Sequence, residues 1–144
     1  MSYTIDIIHV PIPDDDVDAW DFLDHDLRVS SEDDQRPLPD DVQELYRRLT
    51  ARYPCITENE NGPWSDGPLI EDFGHDLTIL GLSFSRVEEV LPFVIATAND
   101  LGFPVFDGQD ERFHRPGQPQ GRRLSELQAD RQPSKPKRPW WRIW

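Results

Sequence analysis

Residues 3–10 read Tyr3-Thr4-Ile5-Asp6-Ile7-Ile8-His9-Val10 and stop at Pro11 and Pro13. β-Branched and aromatic side chains dominate the run, and both alternating sets of positions carry apolar groups. A strand covered on one side only would put polar groups on the other, so two apolar sets place it inside a sheet. The run predicts a central strand, and the rest of the chain supplies its neighbours and its cover.

Helical spacing begins directly afterwards. Val17, Trp20, Leu23 and Leu27 recur along residues 14–27, with Asp14, Asp15 and Asp16 at the positive end of the helix dipole. Ser30 to Pro39 is polar, acidic and bounded by proline, which reads as a loop. A second helix follows, capped by Asp40, with Val42, Leu45, Tyr46, Leu49 and Tyr53 on one stripe. Arg47, Arg48 and Arg52 fall late in it, where cations suit the dipole, and Pro54 ends it. Thr57 to Gly67 is a polar loop.

Residues 68–73 and 77–84 are apolar-rich runs separated by Gly74-His75-Asp76, which predicts a hairpin. Ser85-Arg86-Val87-Glu88 has the spacing of a capping box opening a helix to about Leu101, with a kink expected at Pro92. Gly102 suits the residue that ends it. Pro104-Val105-Phe106 predicts a short strand, and Arg112 to His114 a partner for it. The order β, α, (α), β, β, α, β predicts an α+β fold. Its simplest closure is a ferredoxin-like sandwich: a mainly antiparallel four-stranded sheet with helices on one face.

Charge divides the chain. The whole carries −13, but residues 115–144 hold eight Lys/Arg against two Asp/Glu, leaving 26 acids and seven bases in residues 1–114. The expected organisation is an acidic α/β domain over 1–114 and a basic, Pro-rich, disordered tail over 115–144. The tail carries one faint helical scrap at Leu124–Ala129 and ends in Trp140, Trp141 and Trp144. An acidic body repels nucleic-acid phosphates and favours a basic protein partner. Tryptophan beside Lys/Arg suits a membrane surface or a partner groove, so the three tail tryptophans are candidate docking residues.

The single cysteine, Cys55, forms no internal disulfide, which suits a reducing compartment. The first residues lack the basic and apolar regions of a signal peptide, and no window approaches the roughly 18 apolar residues of a membrane span. The cytoplasm is the expected location.

Chemistry-bearing patterns are sparse. A calcium loop starting at Asp14 would need Gly at its sixth position and Glu at its twelfth, where the chain has Ala19 and His25. The four histidines show no zinc spacing, and His75 between Asp72 and Asp76 is the one suggestive group. Gly62, Gly67, Gly74 and Gly81 are isolated, so no phosphate loop is formed, and Cys55 has no nucleophile signature around it. No catalytic residue, metal ligand or cofactor is assigned. Binding residues are expected instead among Asp14, Asp15, Asp16, Asp18 and Asp21, then Glu32, Asp33 and Asp34. Trp64 joins them as an aromatic anchor in its loop, or else plugs the edge of the core.

Several phrases carry a family likeness: the start Met1-Ser2-Tyr3, the run Pro63 to Leu69, Ser83 to Val90, Ala98 to Gln109, and His114-Arg115-Pro116. Together they resemble a widespread family of small, mostly uncharacterised bacterial proteins, some of which look like immunity proteins of polymorphic or secreted toxins. The likeness covers about residues 1–116. Gly108 and Phe103-Pro104 depart from the family pattern at a turn and a strand start. The resemblance implies an immunity-type protein that neutralises a cognate toxin, and it implies no catalytic residue. An enzyme or metal-binding protein using Asp72, His75 and Asp76, and a membrane-peripheral adaptor anchored by the tail, are the alternatives.

Overall fold

The structure is a computed structural model that describes residues 3–29, 36–54, 63–64 and 69–131. It is an α+β fold. The strands are β1 (Tyr3–Ile8), β2 (Leu77–Leu82), β3 (Val105–Asp107) and β4 (Arg112–His114), and the helices are α1 (Asp16–Phe22), α2 (Asp40–Arg52), α3 (Val87–Asp100) and α4 (Leu124–Arg131). The sheet order is β2-β1-β3-β4, and each neighbouring pair is antiparallel. β1 lies in the interior, as its two apolar faces require. Ile5 faces Leu80 on one side and Asp107 on the other, while Asp6 faces Ile79 and Phe106.

That alternation produces two buried clusters. Ile5, Ile7, Leu80, Leu82 and Val105 pack under α2 and α3, with Val42, Leu45, Leu49, Val90 and Val94 supplying the helical side. Ile8, Leu77, Phe106 and Phe113 pack under α1 and its continuation, with Ala19, Leu23 and Leu27, and Leu124 of α4 joins them. Helices on one face, as a ferredoxin-like sandwich has them, are therefore corrected to helices on both. The reason lies in β1 and β3: the second apolar set, Ile8 and Phe106, needs its own cover, and burying each such side chain is worth about 1.5–3 kcal/mol.

Local signals explain most boundaries. Asp15 starts α1 by accepting from the amides of Val17 (2.9 Å) and Asp18 (3.0 Å). After Phe22 the helix widens into a π-turn over Leu23–Leu27, closed by the Arg28 amide on the Leu23 carbonyl at 2.9 Å. α3 ends in a Schellman motif: Gly102 has φ 88°, its amide meets the Asn99 carbonyl, and the Phe103 amide meets that of Ala98.

Three expectations change. Within the run 68–73, Leu69–Asp72 forms a 3₁₀ turn where a strand is expected, and β2 pairs with β1 instead. A Cβ at Gly74 would sit 2.6 Å from the Leu77 carbonyl oxygen, so this close approach of the chain to the start of β2 requires glycine. Asp40 is the first residue of α2 rather than its cap, a place taken by Pro39, and Ser85 lies in a 3₁₀ turn that leads into α3.

The domain also extends past 114. Arg115 pairs with Asp16, the Gly121 amide bonds the Phe113 carbonyl, Leu124 is buried, and α4 packs on α1. The charge reversal that marks a boundary in the sequence is thus a complementary contact in the fold. Residues 132–144, the rest of the expected tail, lie outside the described residues.

Candidate interaction surface

The Asp-rich segment from Asp14 to Asp26 becomes the outer wall of one sheet face. Val17, Ala19, Leu23 and Leu27 anchor it by burial, so its carboxylates are carried on a packed element. They divide by task. Asp15 caps the helix, Asp16 takes Arg115 at 2.8 Å, and Asp24 takes Arg28 at 3.4 Å. Asp14, Asp18, Asp21 and Asp26 are exposed. Asp18, Asp21 and His25 recur at helical spacing, and the His25 ring bonds the Asp21 carbonyl at 3.1 Å. The result is a ridge of like charges on solvent.

Beneath the ridge lies an ion pair that composition could not reveal. Asp6, fully buried on β1, accepts from Arg28 Nε at 3.1 Å, and the guanidinium stands 5.1 Å over the Trp20 ring. Burial raises the Asp6 carboxyl above its usual range, against the hydrogen bond and charge of Arg28. Its Oδ1 has no hydrogen-bond partner among the described residues. An acid within an apolar strand run was the one available signal. Arg28 ties the end of the π-turn to the middle of the sheet and so fixes the ridge in place.

The other expected contact residues fare differently. Trp64 is 1% exposed: its indole N–H donates to the Tyr53 carbonyl at 2.7 Å, and its backbone bridges to Leu82 on the outer edge of β2. It is a core plug, corrected from an aromatic anchor for a partner. Glu32, Asp33 and Asp34, the tail tryptophans Trp140, Trp141 and Trp144, and Cys55 all lie outside the described residues. His75 turns to the Pro37 carbonyl at 3.0 Å, and no group of three His, Cys, Asp or Glu that could hold a metal occurs among the described residues.

Two further polar side chains sit against the core, Asp107 buried and His9 half-buried. Asp107 accepts from the Tyr3 hydroxyl at 2.6 Å and from the amides of Gln109 and Asp110, which shapes the β3–β4 turn. His9 meets the Thr78 hydroxyl at 2.6 Å and packs edge-on against Phe103. Burial pushes its pKa down to about 4, against the opposing charge of Asp41, so the ring is neutral at pH 7.

Among the described residues, no helix is long and apolar enough to cross a membrane. No family model, curated protein or solved structure matches the chain.

Proposed function

We propose that this chain is an immunity-type binding protein that neutralises a cognate bacterial toxin in the cytoplasm. It does so by laying the acidic ridge of α1 and the π-turn on a basic surface of the toxin. The observation that carries the reading is that Asp15, Asp16 and Asp24 hold contacts within the fold while Asp14, Asp21 and Asp26 stand exposed beside them, on an element held by buried side chains. Fixed carboxylates act in binding mainly by steering a basic partner and setting its orientation, which shows in the association rate and its salt dependence. The toxin class rests on the family resemblance of residues 1–116.

The test is co-expression of the full chain with the protein encoded beside it, reading cell growth and complex formation. Protection by the wild type, lost when Asp14, Asp18, Asp21 and Asp26 are together changed to Asn, supports the reading. Absence of both protection and complex rejects it.

A further inference from the structure

On the opposite side of the sheet from the acidic ridge, the described structure concentrates arginine. Between α2 and α3 runs a groove of about 940 Å³ lined by Arg47, Arg48, Arg52, Phe93, Ala96 and Asp100. Arg47 and Arg48 both bind Glu44, and Arg48 also reaches Asp100 at 2.6 Å. Three guanidiniums thus meet two carboxylates, and the one left over is Arg52. It is exposed, its guanidinium carbon stands 5.3 Å from the Tyr53 ring centre and 5.4 Å from that of Phe93, and it has no ion-pair partner within 4 Å among the described residues. The nearby Glu89 already holds Arg86 at 2.7 Å and accepts from the Tyr53 hydroxyl at 3.1 Å.

Contact with two rings positions the planar fork while leaving its N–H donors for another acceptor. A fork so placed is suited to a carboxylate, which it binds bidentately. The groove beside it offers an apolar strip at Phe93 and Ala96, so the matching ligand carries both an acid and an apolar side chain. A long polyanion fits poorly. Nucleic acid gains affinity from many phosphate contacts, whereas here a single guanidinium stands outside any ion pair within 4 Å among the described residues, feeling Glu89 only at longer range, and the first 114 residues are strongly acidic. At physiological salt the Debye length is about 8 Å, so a short ligand in the groove responds chiefly to the groove's own charges.

We infer that the α2–α3 groove is a second docking surface, which takes an acidic segment of a partner protein with a carboxylate on Arg52 and an apolar side chain against Phe93 and Ala96. It is independent of the ridge and opposite in sign.

Fluorescence anisotropy on the full chain tests this with a labelled peptide of repeated glutamate, leucine and glycine. Its glutamine counterpart and an oligo-dT of equal charge are the comparisons. The glutamate peptide binds, and the glutamine version binds about tenfold more weakly, as loss of a charge-assisted bidentate pair requires. Arg52→Gln weakens the glutamate peptide by about tenfold and Arg52→Lys by less, while Arg122→Gln on α4 leaves it unchanged. Circular dichroism of each variant confirms that the fold is retained. No binding by the glutamate peptide, equal loss in Arg122→Gln, or tighter binding of oligo-dT overturns the inference.

Discussion

Asp16 and Arg115 meet at 2.8 Å across 99 residues of chain, with side chains only 15% and 13% exposed. Arg115 also donates to the Pro13 carbonyl at 2.8 Å and stands 5.6 Å over Phe113. Gly121 closes over the pair: a Cβ there would lie 2.7 Å from Asp16 Oδ2. One arginine therefore joins the start of α1 to the segment that carries α4.

Arg115→Ala is expected to cost about 2–3 kcal/mol, because it leaves Asp16 half-buried without its charge partner. Asp16→Ala added to it costs less than the two single losses together. Urea unfolding of the four proteins measures the coupling, and limited proteolysis reads release of the segment from 115 onward. Additive losses would show that the pair is not the tie.

Trp64 fills the outer edge of the larger core. Truncation to Ala is expected to cost about 3–5 kcal/mol through lost contact and a cavity. Trp64→Phe keeps an aromatic ring but strands the Tyr53 carbonyl, at about 1–3 kcal/mol. Equilibrium unfolding reads both, and a Trp64→Ala protein of wild-type stability would mean that this residue is not core.

The exposed ridge and the helix cap separate by stability. Asn at Asp14, Asp18, Asp21 and Asp26 should shift unfolding by less than about 0.5 kcal/mol at each position. Asp15→Ala removes two amide bonds and costs about 1 kcal/mol. Denaturant midpoints for the five single variants check the contrast.

His9 gives a pH signature. Its folded pKa, lowered from 6.5 to about 4, lets the unfolded chain take the proton first. The stability it contributes is whole above pH 6.5 and is lost as pH falls toward 4, by about 3 kcal/mol in all. Asp6 works in the opposite sense: its carboxyl is raised, so the folded state gains as pH falls through its window. The difference between wild type and His9→Gln isolates the histidine, and should move against the wild type by about 3 kcal/mol between pH 7 and pH 4; a difference that does not change with pH would contradict the account.

Much of the fold is legible in the chain because it rests on local signals. The two apolar sets of Tyr3–Ile8, the stripe of α2, and Gly102 after α3 each specify their element alone. What is not legible depends on long-range geometry. Which side of the sheet a helix covers follows from how the chain crosses over, so α1 and α2 could be read as helices but not assigned to opposite faces. Trp64 looks like a loop residue until the Tyr53 carbonyl comes within reach of its N–H. Charge patterning locates the acidic ridge, yet composition cannot tell the capping Asp15 or the paired Asp16 from the exposed Asp14 and Asp21. The arginines of α2 read as dipole partners, and only the position of Phe93 on α3 sets Arg52 apart.

The most direct measurement is the growth of cells co-expressing the neighbouring gene product with wild type or with a ridge-reversed variant carrying Lys at Asp14, Asp18, Asp21 and Asp26. The account predicts rescue by the wild type and loss of rescue by a variant that is still folded. Equal rescue by both proteins would contradict it.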